Sequence, residues 1–426
     1  MQSLIQVYVV IFLITCSEGT IHVIFPPFLE SLAYAVSQIG VLSSLFAVLQ
    51  LAARLPAGAF YAPQRARVIL VGGLALLGLT ALGFPTVQGL VPLVALIGLH
   101  GFAFGTITTV ALALCIDTRP KDYPSGAMMG WYTSAIAAGY AVGQPIGGYL
   151  ADEFGFPMGF GALAGFSLLA ILILLSLPRL GQSHQKTGPI PSAHPATAGH
   201  AGHTRHQWSL RFDPRRLPAE VLLATLIVFF VNMMFRSLHT FFPLYALAAG
   251  ITLTQIGLLR SMLSLAAAVV RPFSGKLFQV IHYRRVNHMA MIGAAASVLL
   301  SPLMVGSMTL LAVLHTLMGL SRGLTRVTSA TMLAESNATE APPLSPPSDG
   351  GDDRGGRNAR IGIWSGVYNA GLDLGSITGP AVGGILAGWI GIPNMLGTIA
   401  IGVLGTYVFI SLLARRRRVP VAAAVD

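Results

Sequence analysis

A short segment of the chain recurs at a fixed distance within it. Residues 37–42 (SQIGVL) reappear as residues 254–259 (TQIGLL), 217 positions later. The same offset relates five further pairs of identical residues: His22 and His239, Pro26 and Pro243, Arg54 and Arg271, Gly58 and Gly275, and Arg67 and Arg284. Both copies lie in very hydrophobic sequence. The repeat therefore predicts a membrane protein of two matching halves that can rock about a site between them.

The solvent for most of this chain is predicted to be lipid. Hydrophobic residues make up 54% of the 426 residues and charged residues only 10%, against about 25% charged in a typical soluble domain. Twelve hydrophobic stretches are each long enough to cross a bilayer as a helix. We place them at residues 5–28, 36–60, 67–87, 90–116, 126–151, 156–178, 219–247, 253–280, 287–306, 309–334, 360–388 and 394–414. The predicted fold class is all-α, with twelve transmembrane helices in two six-helix halves.

The halves are predicted at residues 1–178 and 219–418, joined by a linker at 179–218 and followed by a tail at 419–426. The linker is rich in Pro, Gly, Ser, His and basic residues, which cannot bury a core, so we expect a largely disordered cytoplasmic segment. Its histidines could bind a transition metal, but their spacing fits no defined site, and a solvated linker is the simpler interpretation. The Pro-, Gly- and Asp-rich stretch 341–357 is likewise predicted to be a flexible loop. We expect no cofactor.

Basic residues are unevenly distributed between the loops. Of the 26 Lys and Arg residues, 19 lie outside the spans, and all of these fall on one side if the spans alternate in direction. The loops on the other side carry Glu30, Asp152 and Glu153 instead. This positive-inside pattern predicts a multi-pass protein of the cytoplasmic (inner) membrane with both termini in the cytoplasm. The net charge of +11 therefore indicates topology rather than a nucleic-acid partner.

A basic motif follows the second span and is repeated after the eighth. The first copy contains Arg54, Pro56, Gly58, Arg65 and Arg67, and the second contains Arg271, Pro272, Gly275, Arg284 and Arg285. The motif resembles the cytoplasmic loop signature of the major facilitator superfamily of secondary transporters, Gly-x-Leu-x-Asp-Arg-x-Gly-Arg-Arg. Ala62 and Gln279 replace the signature aspartate, so the acidic lock between the halves is absent or rebuilt from other residues. We expect the glycines to allow close helix approach and the arginines to stay at the inner interface.

Glycine motifs on spans eleven and five extend this resemblance. Span eleven carries Gly366, Gly375, Gly379, Pro380, Gly383 and Gly384, and span five carries Gly130, Gly139, Gly143, Pro145, Gly147 and Gly148. In the family, this motif on span five is associated with exporters that exchange substrate for protons. The alternative interpretation is generic packing of small residues between helices.

A third pattern repeats between spans four and ten. Gly101, Gly105 and Asp117 on span four correspond to Gly319, Gly323 and Glu335 on span ten. The three patterns together cover nearly the whole chain. The resemblance implies the major facilitator fold, with two halves related by a pseudo-twofold axis, and a protein that works as a monomer.

Ionisable residues inside the spans are costly in lipid and usually have a functional reason. The resemblance implies that spans one, four, seven and ten line a central cavity. Mid-span polar groups concentrate on those four spans: Glu18, His22, His100, Arg236, His239, His315, Arg322 and Arg326. Glu18 and His22 share one helix face by their spacing, as do Arg236 and His239.

We hypothesise that Glu18, with His22, couples transport to protons. The repeat places Glu18 at a depth similar to that of Arg236, and the proton affinity of a buried carboxylate depends on such a neighbouring charge. An occupant of the site could thereby switch the protonation of Glu18. The alternative is a permanent pair between Glu18 and an arginine that holds the halves together.

The cavity is predicted to be net positive and to favour an anion. Arg236, Arg322 and Arg326 supply fixed positive charge against one cavity carboxylate. Arg326 could instead extend to the inner interface or pair with Asp373. We interpret Asp373 as a partner of another helix, and a second proton site is the alternative interpretation. His100, His239 and His315 are candidate substrate-binding residues, or else hydrogen-bonded packing residues.

The leading functional prediction is proton-coupled export of a small organic molecule by alternating access, and the predicted cavity charge favours an anion. Proton-symport uptake of an organic anion is the alternative within transport. A non-transporting membrane sensor or scaffold is the alternative from another class. We find no zinc-spaced His/Cys set, nucleophile elbow or phosphate-binding glycine loop, so an enzyme is not predicted.

Overall fold

The computed structural model describes residues 2–120, 123–176, 219–339 and 352–416. These ranges contain twelve long α-helices, one short 3-10 turn at Phe84–Thr86 and no strand, which confirms the predicted all-α fold with twelve spans. The helices are α1 (Gln2–Ser31), α2 (Val36–Ala59), α3 (Pro63–Gly83), α4 (Leu90–Asp117), α5 (Ser125–Phe154), α6 (Phe156–Ser176), α7 (Ala219–Ala248), α8 (Leu253–Val280), α9 (Tyr283–Leu300), α10 (Met308–Thr339), α11 (Asp352–Ile390) and α12 (Ile392–Arg416).

Most helix boundaries lie within five residues of the prediction, and two differ by more. Helix α9 ends at Leu300 rather than near 306, because Pro302 lacks an amide N–H and cannot continue the helical hydrogen bonds. Helix α11 begins at Asp352, so the end of the stretch predicted as a flexible loop (341–357) is helical. The last proline of that stretch is Pro347, and acidic residues are favoured at a helix N-terminus. The predicted linker at 179–218 lies outside the described residues.

Eight of the described helices are long and apolar enough to cross a membrane on composition alone. The other four are α5, α9, α10 and α11. Three of these, α5, α10 and α11, face a polar cavity between the halves. Their hydropathy is lower because part of each helix surface faces this cavity instead of lipid.

Within each half, the motif glycines let helices touch backbone to backbone. Gly143 of α5 packs on Cys16 of α1, and Gly379 of α11 packs on Met233 of α7. A Cβ atom at either glycine would overlap the neighbouring main chain. Gly139 and Gly375 make the same kind of contact one helical turn before Gly143 and Gly379. Gly101 and Gly105 pack in this way against α2, and Gly319 and Gly323 pack against α8. The repeat in sequence is therefore a repeat in helix packing.

Glycine contacts also join the halves at two places, both near the end of the bundle that carries Glu30, Asp152 and Glu153, here called the acidic end. Gly40 of α2 lies against Pro380 and Gly384 of α11. By the repeat, the matching contact places Gly257 of α8 against Gln144 and Pro145 of α5. We call these the α2–α11 seam and the α5–α8 seam.

Apolar packing follows the same division. One large cluster of buried residues spans both halves and includes Phe25 and Ile39 of the first half and Phe241 of the second. A second cluster belongs to the first half alone and surrounds the start of α1. The halves therefore share a core at the acidic end and diverge toward the opposite, basic end.

The expected close helix approach at Gly58 and Gly275 is not observed. A Cβ atom at either position would meet no described atom within 4 Å. Both glycines lie near the basic end, where the helices have spread apart, so no neighbour reaches them in this conformation.

A pair of glycine-to-alanine variants separates seam packing from helix propensity. In Gly257→Ala the new Cβ would lie 2.5 Å from the Gln144 carbonyl oxygen, and overpacking of this kind costs about 1–3 kcal/mol. In Gly275→Ala only the helix-propensity gain of about 0.5–1 kcal/mol remains. We expect Gly257→Ala to lower the thermal unfolding temperature in detergent and Gly275→Ala to keep or raise it. Equal shifts in both variants would contradict the seam.

Candidate functional site

A cavity of about 630 Å³ lies between the halves on the basic side of both seams. Eight helices line it: α1, α2, α4, α5, α7, α8, α10 and α11. The expectation that α1, α4, α7 and α10 form the wall is therefore incomplete, since α2, α5, α8 and α11 supply the larger share of the lining. These four helices reach the cavity because they also form the seams that close it at the acidic end.

The charged lining of this cavity is almost entirely basic. It comprises Arg54, Arg236, Arg271, Arg322, Arg326 and Asp373. Arg54 Nη1 lies 2.7 Å from both carboxylate oxygens of Asp373. Among the described residues, no carboxylate lies within ion-pair distance of the other four arginines. The cavity thus holds four positive charges without a neutralising carboxylate, which favours an anionic occupant.

Arg54 and Asp373 join the halves, since they belong to α2 and α11. Asp373 is therefore an interhelical partner of Arg54, and it does not pair with Arg326. The replaced signature aspartate has no substitute in its own loop, where Tyr61 donates to Asp117 at 2.6 Å within the first half. The ion pair between the halves is instead supplied from within the helices.

The remaining motif arginines act locally. Arg67 donates to the main-chain oxygen of Leu175, within the first half. Arg284 donates from Nε to the Tyr283 hydroxyl at 3.2 Å, and Arg65 is exposed at the start of α3. None of the three lines the cavity.

Arg322 is held by an aromatic ring rather than by a carboxylate. Its guanidinium carbon lies 3.6 Å from the centre of the Phe235 ring, within the range of a cation–π interaction. Phe235 in turn packs against the His239 ring at 3.9 Å. The buried Nε atoms of Arg322 and Arg271 have no hydrogen-bond partner among the described residues. Donors that are charged, desolvated and unpaired are available to a bound anion.

Glu18, His22 and Arg236 come together at one point behind the cavity. Glu18 is 1% exposed. His22 Nε2 lies 3.2 Å from Glu18 Oε1 and 3.0 Å from Arg236 Nη1. Within the part of the chain that the structure describes, neither carboxylate oxygen of Glu18 has a hydrogen-bond partner of normal geometry. Helices from both halves thus meet at a single imidazole nitrogen.

This nitrogen can serve only one of its two neighbours at a time. An unprotonated His22 Nε2 accepts a hydrogen bond from Arg236, and then has no proton to offer Glu18. A protonated Nε2 donates to Glu18, and then cannot accept from Arg236. The contacts of Arg236 and of Glu18 are therefore coupled through the protonation of His22.

Arg236 also separates two spaces. It lines the large cavity and, with His22 and His239, a small apolar cavity of about 60 Å³ nearer the acidic end. The Tyr140 ring, which lines the large cavity, stacks on His22 with ring centres 5.8 Å apart. Glu18 lines neither space, so access to it from the large cavity passes Arg236, Tyr140 and His22.

Arg260 is a buried residue for which the sequence suggested no role. It is 2% exposed on α8, and its guanidinium donates to the main-chain oxygens of His22 on α1 and His239 on α7. It thereby ties the two repeat-related histidines across the halves. A charged residue inside a span is unusual and can be recognised from the sequence. Its partners cannot be recognised in this case, because they are main-chain carbonyl groups that every residue type has.

His100 and His315 do not join the site. His100 is fully buried, with Nδ1 2.8 Å from the Thr80 hydroxyl of α3. His315 Nδ1 lies 2.9 Å from the Leu311 carbonyl oxygen of its own helix, and its ring packs on Phe242. Neither lines a cavity described above. In this conformation both residues take the packing role that the sequence left open.

At the acidic end, a side chain of one half caps a helix of the other. Asp152 of α5 accepts hydrogen bonds from the amides of Leu253 and Thr254 at 3.0 and 2.7 Å, and from the Thr254 hydroxyl at 2.6 Å. These groups form the N-terminus of α8, where a carboxylate satisfies free amides and complements the helix dipole. This contact adds a polar closure to the α5–α8 seam.

Comparison with known proteins agrees with this architecture. The family model of the Major Facilitator Superfamily matches residues 7–342. The chain belongs to the major facilitator superfamily. It is therefore a multi-pass membrane transporter, and the family implies a small-molecule substrate. Members of the family are in general transporters rather than enzymes.

Two relatives in sequence span nearly the same length. An uncharacterised transporter of this superfamily from Methanocaldococcus jannaschii is 22% identical over 409 residues, covering 95% of the chain and 97% of the relative. Multidrug resistance protein 2 of Bacillus subtilis is 23% identical over 380 residues, covering 88% of the chain and 86% of the relative.

Solved structures show the same fold at low sequence identity. The nucleoside transporter NupG superposes with a TM-score of 0.68 at 12% identity, covering 99% of this chain and all of that one. A bacterial homologue of the human lysosomal transporter Spinster, in an inward-facing and occupied conformation, gives 0.66 at 13% identity, covering 98% of each chain.

The Arg54–Asp373 pair is testable by a double-mutant cycle. We expect the thermal destabilisation of Arg54→Ala and of Asp373→Ala, added together, to exceed that of the double variant. The side chains are 39% and 19% exposed, so solvent screening limits the coupling to about 0.5–1 kcal/mol, and it should shrink in 1 M salt. The matched cycle of Arg65→Ala with Asp373→Ala should be additive. Additivity in both cycles would show that the pair contributes nothing.

The Asp152 cap has a control at the next residue. Asp152→Ala leaves two amides of α8 without their acceptor and should lower stability by about 1 kcal/mol or more. Glu153→Ala removes the same charge from an exposed position and should leave the thermal unfolding temperature unchanged. If the two variants fall equally, the effect comes from surface charge and not from the cap.

Proposed function

We propose that the chain is a proton-coupled secondary transporter that moves a small organic anion by alternating access. The main support is that His22 Nε2 lies within contact distance of both Arg236, which lines the cavity, and the buried carboxylate of Glu18. The family supplies the general activity of transport, and the proposal adds the coupling ion and the charge of the substrate.

The proposed substrate site is the basic cavity. Arg236, Arg322 and Arg326 are its proposed anion ligands, with His239 behind them against Phe235. We add Arg271 to this set because it lines the same cavity, although the sequence analysis placed it near the inner interface. A volume of about 630 Å³ suits an organic molecule rather than an inorganic ion.

The proposed coupling step uses the exclusive contacts of His22. When an anion binds Arg236, the arginine turns its donors to the anion and releases His22 Nε2. The released nitrogen can then take a proton and donate it in a hydrogen bond to Glu18. When the anion leaves, Arg236 recovers His22 and the proton is lost. Anion and proton binding are thereby linked through one imidazole.

Two directions of coupling have specific support. Export in exchange for protons is favoured by the glycine motif of α5 and by the likeness to a multidrug resistance protein. Symport is favoured by the geometry at His22, because anion binding there promotes proton binding. The sign of the proton movement distinguishes them.

The remaining features proposed concern setting and assembly. The distribution of Lys and Arg supports both termini in the cytoplasm and a place in the cytoplasmic (inner) membrane. With that orientation, the cavity lies on the cytoplasmic side of the seams. The site is built within one chain, which supports a protein that works as a monomer.

The variant Glu18→Gln tests the coupling. In vesicles with an imposed pH gradient, we expect it to abolish anion-triggered proton movement while counterflow of the same anion persists, since Arg236 and the cavity are unchanged. A pH-sensitive dye and a panel of organic anions, cations and neutral compounds give the readout. Glu153→Gln, which neutralises an exposed carboxylate, is the control and should behave as the parent.

Retained proton movement in Glu18→Gln would rule out the proposed role of this carboxylate. A response to cations or neutral compounds alone would rule out an anionic substrate. Silence toward every class, from folded protein, would favour the non-transporting sensor or scaffold.

A further inference from the structure

A second opening adjoins the basic cavity. A space of about 500 Å³ lies between α5 and α8 on the basic side of their seam. It shares Thr133 and Arg271 with the main cavity. The two spaces therefore meet at the Arg271 side chain.

The repeat explains why this seam is open and the other is bridged. Arg271 of α8 corresponds to Arg54 of α2 at the offset of 217 residues. Arg54 pairs with Asp373 of α11. The glycine motifs align α11 with α5 such that Gly375 corresponds to Gly139, and Asp373 then corresponds to Ala137. The repeat thus puts the methyl group of Ala137 at the position that, in the other half, supplies the carboxylate for Arg54, and both Ala137 and Arg271 line the main cavity.

The walls of the opening are suited to an alkyl chain. Small or apolar residues line most of it, among them Gly130, Ala268 and Pro272. A Cβ atom at Gly130 would meet no described atom within 4 Å. Trp131 lies beside it and is 63% exposed on the outer face of the bundle. The opening therefore runs from a cavity arginine to a surface that faces lipid.

We propose that the substrate is an amphipathic anion whose charged group binds Arg271 and the deeper arginines while its alkyl chain lies between α5 and α8. Such a molecule enters sideways from the bilayer leaflet at the basic end. The proposal rests on the proposed function above and narrows its substrate class.

Charge and shape both support this occupant. A fully water-soluble anion needs the arginines but has no use for an apolar slot that leads to lipid. A neutral lipid fits the slot but leaves four arginines unpaired, which is costly in a desolvated site. Only a molecule with both a negative head group and an alkyl chain can neutralise the arginines and also fill the apolar space between α5 and α8.

The test compares n-alkanesulfonates of the same head group and different length, from ethanesulfonate to dodecanesulfonate. They stay ionised, so they do not carry protons themselves. In proteoliposomes, we expect dodecanesulfonate to trigger proton movement at concentrations at least tenfold lower than ethanesulfonate. Gly130→Phe fills the opening and should weaken the response to dodecanesulfonate at least tenfold while changing that to ethanesulfonate less than twofold. Gly165→Phe is the matched control: it adds the same side chain on α6, where a Cβ atom would meet no described atom within 4 Å, and should respond as the parent.

A second variant closes the seam by charge. Ala137→Asp gives Arg271 the partner that Asp373 gives Arg54. It should weaken the response to both chain lengths, because Arg271 is lost as a ligand of the sulfonate, and it should weaken that to dodecanesulfonate more, because the bridged seam also excludes the alkyl chain. Ala137→Asn, of similar size but without the charge, should produce neither effect. This variant keeps the conclusion testable if Gly130→Phe fails to fold.

A binding readout separates this inference from the proposed coupling. A dodecanesulfonate with bromine at the end of its chain should quench the fluorescence of Trp131, saturably and in competition with unbrominated dodecanesulfonate. The quenched component should vanish in Trp131→Phe. Quenching without proton movement would retain the site and overturn the coupling. Proton movement by ethanesulfonate without saturable quenching, or equal effects of Gly130→Phe on both lengths, would overturn the lateral site and retain the coupling.

Discussion

Backbone contacts through glycine, at each of the two seams, hold the halves against each other at the acidic end. Gly40 and Gly257 are related by the repeat, and each meets the proline-containing part of the partner helix. Without a side chain between them, the helices approach closely enough for dispersion forces to act along the main chain. The cavity, its arginines and the crossing of Arg260 all lie where they do because these seams fix which end is closed. A rocking motion has its pivot near the cavity and must exchange these contacts for others.

The charges in the cavity act against the attraction that the seams provide between the halves. Apolar contact closes one end, and like charge fills the space beside it. Of the five cavity arginines, one is neutralised by Asp373 within the described lining. Such a cavity is stable while water fills it, because water screens the arginines. It becomes costly when water is expelled, unless an anion takes the place of the water.

Much of the fold could be predicted from the sequence, because lipid makes helices obligatory and the repeat pairs them. The close contacts of Gly143 and Gly379 follow from their motif spacing. The partners of charged residues were harder to predict. Asp373 meets Arg54 only because α11 crosses α2, and Arg260 binds carbonyl oxygens that any residue could supply.

Histidines show the same limit of sequence reasoning. Depth in the span was similar for His22, His100 and His315, but helix rotation decided which one faced an arginine and which ones faced packed side chains. An apolar helix with little polarity between its faces leaves that rotation unmarked in the sequence. Glycine spacing marks a contact face, whereas a single histidine does not.

The unneutralised arginines have a consequence for leakage. An empty carrier that closes around its cavity must strip water from several positive charges at once, and nothing in the described lining compensates them. The carrier loaded with the proposed anion is free of that penalty, because such a cargo brings the opposite charge. The barrier to crossing is thus higher empty than full, which suppresses slippage of ions without cargo. In the proposed cycle, the return of the carrier without its anion is therefore the slow step, and crossing stays tightly coupled to the cargo.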